Sequence, residues 1–388
     1  MTELVSERVV RAPKPVAIAT ADRPAVAVSQ RLASVDALRG FDMFWIAGGR
    51  ELLLATVALF SYPVPAWLEF QLEHAPWELH TFSAWDLIMP LFLFLSGVAL
   101  PFSITKWGQG GRARFYMRLA RRLVILWVLG IAIQGNLFEW NIEKLKLYSN
   151  TLQAIAAGYL IASVFLLTLS YRAQIAATAS LFAGYWVLLE FVSYAGHAAG
   201  VIDPSNNMAK YVDTLVLGHF SDTWHYTWVL SSLGFGGTVM LGTFAGNVLR
   251  GKRTEIGKTG VLFGLGAACL IIGWVWSYQH PFNKYIWSSS MNLWACGWCF
   301  VLLAAFYWVI DVQGFRAWAF PLIVIGANAI AIYVATHLFD FGGVSGIFIE
   351  HLTTRLGRFG EFMDTLGAFL VPWLILLYMW KKKTFIRL

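Results

Sequence analysis

Between residues 73 and 97 the chain reads EHAPWELHTFSAWDLIMPLFLFLSG. Two histidines, His74 and His80, and three carboxylates crowd against an apolar run, Leu87 to Leu100, that carries no charge. A histidine beside a carboxylate is the usual way to build a general base, because the carboxylate fixes the tautomer and orientation of the ring. His74 is the candidate base and Asp86 the candidate orienting group. Asp86 also stands where a helix N-cap or first-turn acid belongs, with Ser83 as a rival cap. His80 reads as a bystander at the interface. Pairs such as His74 with His80, or His219 with His225, match no zinc-ligand spacing, so no metal is expected.

Other polar groups lie where apolar runs begin or break. YSNTLQAIAAGY (148–159) places Asn150 at a helix start, and FNKYIWSSSMN (282–292) supplies Asn283 and Lys284. IGANAIAIYVATH (325–337) sets Asn328 among small residues, which suits either a hydrogen bond between close helices or a ligand contact. RLASVDALRGFDMFW spaces Asp36, Arg39 and Asp42 three apart, so they can pair on one helix face. Charges within a span are expensive, and these read either as an ion network or, through Arg39, as a contact to a phosphate-bearing ligand. KWGQGGRARFYMRLARR holds Arg118, Arg121 and Arg122 among its six basic residues. That loop reads as topogenic charge and anionic-lipid contact, with phosphate binding as the functional alternative; it is not a Walker motif.

The elements that must position these groups follow from composition. Of 388 residues 58% are hydrophobic and only 13% charged, with 19 Trp and 29 Phe gathered where apolar runs end. A soluble domain is closer to a quarter charged. The runs are mostly long enough for helices and too long for barrel strands. The predicted fold is an all-α polytopic membrane protein of about ten transmembrane helices: 37–60, 86–104, 119–138, 150–170, 174–194, 229–249, 260–278, 289–310, 321–339 and 365–380. Residues 1–35 read as a flexible basic tail without a signal sequence, and 36–388 as one membrane domain. Alternating the spans from a cytoplasmic N-terminus puts 21 of the 29 Lys and Arg inside and six outside, with both termini cytoplasmic. All eight histidines then fall outside or near outer helix ends. The net charge of +7 is accounted for by topology, so nucleic acid is not an expected partner. Cys269, Cys296 and Cys299 lie within apolar runs and predict no disulfide. The stretch YVDTLVLG (211–218) reads as a short amphipathic helix on the membrane surface.

In order along the chain stand SVDALRGFDMFW, HAPW with WDLIMPLFLFLSGVALPFS, NTLQAIAAGYLIA, YVDTLVLG, LGTFAGNVL, NKYIWSSS and GANAIAIYV. Together, over about residues 31–380, they resemble bacterial relatives of heparan-α-glucosaminide N-acetyltransferase, within the transmembrane acyltransferases. The resemblance implies acetyl transfer from cytoplasmic acetyl-CoA to the amine of a glucosamine-type sugar on the far side. It implies His74, in an HxxW element with Trp77, as the catalytic histidine, ahead of Asp86. The interval to Asp86 is about two residues longer than in the family's human member. Arg50 falls where that member has an asparagine, and Leu152-Gln153-Ala154 replaces an LQR, so neither role is carried over. On this reading Arg39, Arg118, Arg121 and Arg122 would hold the CoA phosphates. Trp77, Asn150, Asn283, Lys284 and Asn328 would face the sugar. His74 would act either as base or as the nucleophile that first takes the acetyl. The expected setting is the bacterial inner membrane, as a homodimer. A sugar or envelope-precursor transporter, and an O-acyltransferase of a polysaccharide or lipid, are the rival functions.

Overall fold

A computed structural model describes residues 32–108, 112–222, 225–353 and 355–386. Most of the predicted tail, 1–31, and residues 109–111 of the basic stretch lie outside the described residues. The first helix, α1 (Ala33–Phe44), continues through a widened π-type turn at Trp45–Gly49 into α2 (Arg50–Phe60). The turn needs Gly48, whose φ of +111° is a backbone state that side chains disfavour. Then come the short α3 (Ala66–Gln71), α4 (Ile88–Gly108), α5 (Arg112–Gln134), α6 (Thr151–Thr168), α7 (Tyr171–Phe191) and the small α8 (Met208–Leu217). The chain closes with α9 (Ser232–Arg250), α10 (Glu255–Ser277), α11 (Ser289–Phe306), α12 (Phe320–Gly326), α13 (Ala329–Leu338), α14 (Phe341–Thr353) and α15 (Arg358–Lys381). Among the described residues the only β pairing is three isolated bridges.

Each of the ten predicted apolar segments is helical. Seven helices are long and apolar enough to cross a membrane, and the pair α12–α13, bent by 75°, makes an eighth. The protein is therefore an all-helical, multi-pass membrane protein. Two predicted spans fall outside that set. The charged start of α5 leaves its apolar part short, and five glycines dilute α9. The predicted 105–122 loop is mostly helix, because α4 runs on to Gly108 and α5 starts at Arg112. Sequence reading also missed α14, which packs along α15.

The glycines of α9 have a packing reason. This helix lies at the centre against α4, α6, α7 and α11. A methyl group added at Gly242 would overlap the Phe94 carbonyl, and one at Gly97 would overlap that of Val239. α4 and α9 thus meet backbone to backbone, as membrane helices do where small residues face each other. Pro101 leaves the Gly97 carbonyl without its usual helical donor, and the Thr243 hydroxyl reaches that oxygen from α9 at 3.4 Å. Gly242→Val is expected to cost at least about 3 kcal/mol, the upper part of the overpacking range, because backbone cannot yield as a side chain can. Thermal unfolding of the purified protein in detergent checks this; an unchanged midpoint would contradict the close seam.

The long connections gather at one end of the bundle. Leu147 pairs with Phe220, Thr227 with Tyr285, and Trp77 stacks on Tyr285. Asp213 of α8 accepts the backbone N–H groups of Trp228 and Val229, both at 2.8 Å, and so fixes the approach to α9. Burial pushes its carboxyl up to about 6 against those two bonds. At the opposite end the connections between α6 and α7 and between α9 and α10 are short.

Candidate active site

The segment between α3 and α4 is held open as a loop by polar side chains. Arg50, at the start of α2, donates through Nε to the Leu72 carbonyl at 2.7 Å and pairs with Glu73 at 3.0 Å. The Ser83 hydroxyl donates to the Glu73 carbonyl at 2.5 Å, and Gln71 accepts the Ala84 N–H at 2.9 Å. These bonds fasten both strands of the loop on either side of His74. Arg50 therefore clamps the site backbone.

Asp86 answers the question that its position posed. It closes a capping box with Ser83 over the turn Ala84–Leu87, accepting the Ser83 N–H at 3.1 Å. The same carboxylate accepts the Ala75 N–H at 3.3 Å and meets His74 Nδ1 at 2.8 Å. It is cap and orienter at once. A carboxylate only accepts, so Nδ1 carries the ring hydrogen and Nε2 the lone pair. The His74 side chain keeps 37% of its surface exposed, whereas Asp86 is fully buried.

Behind the pair stands Lys284. Its Nζ lies 3.3 Å from the Asp86 carbonyl and 3.6 Å from Oδ1, and the residue is 5% exposed. Sequence reading placed Lys284 on the substrate, but the fold uses it as the buried counter-ion of Asp86. Burial pushes its ammonium below the ordinary lysine range, and Asp86 pulls it back. Burial, and next the Lys284 charge, lower the His74 pKa from the ordinary 6.5, against the hydrogen bond to Asp86. The neutral ring is thus favoured at neutral pH, as a base requires.

The remaining sequence candidates divide by location. Trp77 is buried, stacked on Tyr285 at 5.4 Å, so it packs the loop and offers no open face. Asn283 turns inward: its side-chain oxygen accepts the N–H groups of Tyr285 and Ile286, which shapes the turn that presents Lys284. Asn150 is the buried N-cap of α6, holding the Leu152 N–H at 2.7 Å. Asn328 sits at the break between α12 and α13, donating to Thr384 and accepting from Ile386. Neither of these last two contacts His74. Sequence reasoning missed the frame that does surround it. Trp85 and Tyr226 meet the imidazole edge-on at 6.5 and 6.2 Å, and Tyr226 lies 4.9 Å from Tyr285. Three aromatic rings from separate loops, all partly exposed, make a surface suited to the apolar face of a sugar.

The basic candidates lie away from this end. Arg39, in the first turns of α1, pairs with Asp36 at 3.4 Å. Arg121 is exposed on the first turns of α5 and Arg118 partly exposed. Arg122 lies over the Tyr159 ring at 4.2 Å and donates to its hydroxyl, so it is engaged inside the bundle. Gln134, which closes α5, bonds Asn150 at the loop end. At 1.5 Å per residue it lies about 18 Å from Arg122 along the axis. A cavity of about 470 Å³ opens elsewhere, beside Gly48 and lined by Glu51, His337 and Asp340. Among the described residues no group of His, Cys, Asp and Glu is arranged to hold a metal.

No family model matches the chain. Its sequence is 24% identical to human heparan-alpha-glucosaminide N-acetyltransferase over 377 aligned residues, covering 81% of this chain. The chain spans about half, 54%, of that relative's length.

Proposed function

We propose that the chain is a transmembrane acyltransferase that moves acetyl from cytoplasmic acetyl-CoA to the amine of a glucosamine-type sugar on the outer side. The observation that carries this reading is the His74–Asp86 contact of 2.8 Å, which leaves an oriented and accessible Nε2. The name of the distant human relative supports the class of reaction. The bias of Lys and Arg toward one side of the spans in sequence supports the orientation, in which Arg39, Arg118 and Arg121 would face the cytoplasm and offer charge to the phosphates of CoA.

In this reading the acceptor sugar lies against Trp85, Tyr226 and Tyr285 with its amine at Nε2. His74 takes a proton from nitrogen as the nitrogen attacks the thioester carbonyl, the new C–N bond forms, and the C–S bond breaks. Asp86 holds the resulting imidazolium, and Lys284 holds Asp86 in place. The test is acetyl transfer from acetyl-CoA to glucosamine by the purified protein, with the product identified by mass. Acetyl on oxygen would favour an O-acyltransferase. Uptake of sugar into vesicles without CoA, and no acetylated product, would make it a transporter.

The charge on Lys284 gives a further expectation. The acid limb of kcat/KM reports the free enzyme's base, and should fall below the ordinary histidine value of 6.5. Lys284→Met removes a charge that lowers the His74 pKa, so the limb should move to higher pH. A limb that stays in place would detach Lys284 from His74.

A further inference from the structure

Asp42 has no role in the scheme above, yet it is the least satisfied acid of the bundle. It lies on α1, 1% exposed, and neither carboxylate oxygen meets a hydrogen-bond donor among the described residues. A bare carboxylate in such a place is costly, and a chain keeps one only where something compensates it. The cation whose field reaches it is Lys284, and Lys284 in turn feels both Asp86 and Asp42. Cys299, on α11, also lies within its field. Lys284 thus stands in the field of two carboxylates and pairs directly with Asp86 at 3.6 Å. Asp86 has three further donors, from His74, Ala75 and Ser83, whereas Asp42 has none. Asp86 is therefore the partner built to stay ionised, and Asp42 the one built to hold a proton. Along α1 it stands one turn from Arg39, so it lies between the basic end and the His74 end of the molecule.

The transfer reaction proposed above has a need that His74 does not meet. Breaking the C–S bond leaves an electron pair and a negative charge on sulfur, and inside a low-dielectric bundle that thiolate is unfavourable. We propose that Asp42 is the acid that protonates the departing CoA thiolate, a step that rests on the acetyltransferase reading of the site. The proton balance closes. His74 removes one proton from the amine, and Asp42 gives one to sulfur. The imidazolium and the Asp42 carboxylate then carry opposite charges, the first bonded to Asp86 and the second in the field of Lys284. One proton passed along that pair restores both.

The test compares two acetyl donors. Acetyl-CoA needs a proton on its leaving sulfur, whereas 4-nitrophenyl acetate releases a phenolate that needs none. With acetyl-CoA, Asp42→Asn is expected to lose about 10²- to 10⁴-fold in the yield of N-acetylglucosamine, the usual range for a lost acid or base. With 4-nitrophenyl acetate the loss is expected to be at least about tenfold smaller, since general-acid assistance matters least for good leaving groups. Asp42→Leu should show the same split, and neither variant should lower the thermal midpoint, because each replaces a buried acid whose oxygens meet no hydrogen-bond donor among the described residues. Equal losses with both donors, no loss with either, or unfolding of both variants would overturn the proposal and leave Asp42 a packing residue. If the wild type acetylates glucosamine from neither donor, the acetyltransferase reading falls and this step with it. If the wild type is active and only the split is missing, Asp42 alone is wrong.

Discussion

His74→Ala should reduce acetyl transfer by about 10²- to 10⁴-fold, the range expected for removal of a positioned general base, while leaving the fold intact. The reasons lie in the loop. His74 is partly exposed and contributes one bond to Asp86, which keeps Ser83, Ala75 and Lys284 as partners when the ring is removed. The variant should therefore unfold near the wild-type temperature, and its loss should appear in kcat more than in KM, because sugar contact falls to the aromatic frame. Measurement of kcat and KM for glucosamine, together with the thermal midpoint, checks both halves. Activity equal to wild type would remove His74 from the chemistry.

Asp86→Ala should be the most damaging single change at the site, because it strikes stability and activity together. It removes the box that closes the turn before α4, for which a cap is typically about 1 kcal/mol. It also leaves the Lys284 ammonium buried without its partner, and breaking a buried pair from one side costs about 3–5 kcal/mol. The imidazole loses the acceptor that selects its tautomer, so the surviving folded protein should be as inactive as His74→Ala. Asp86→Asn separates the effects. It preserves shape but can donate toward Nδ1, which favours the wrong tautomer, so activity should fall while part of the stability returns. Thermal unfolding beside turnover for the two variants decides this. A fully active Asp86→Asn would show that the ring needs no carboxylate.

The part of this site legible in sequence is the part that is local. His74, Ser83 and Asp86 fall within thirteen residues, and the rules for caps and base–acid pairs apply directly to such a stretch. Sequence left cap and orienter as alternatives because it shows neither oxygen of Asp86 separately, and each turned out to have its own work. Lys284 is 198 residues from Asp86. Its chemistry was visible, but its partner was set by tertiary packing. Tyr226 and Tyr285 were invisible for the same reason, since aromatic residues are abundant near every apolar run of this chain. Asn150 stands where sequence put it, at a helix start, and there its side chain caps α6. The long helices were legible from apolar length, whereas the short α3 and α14 were not, and the Gly342 and Gly343 start of α14 resembles a loop.

The glycine contacts between α4 and α9 carry a mechanical consequence. Two helices that touch through their backbones have no compliant layer of side chains between them, so they cannot slide or roll without breaking contact along the whole seam. α4 continues directly from the Asp86 turn, and α9 from the strand fixed by Asp213. The two arms that hold the imidazole and Tyr226 are thus bolted to one rigid chassis. Any breathing of the molecule is left to joints elsewhere, such as the 75° break between α12 and α13. With that seam closed, the imidazole and the Tyr226 ring keep a fixed separation while the outer helices move.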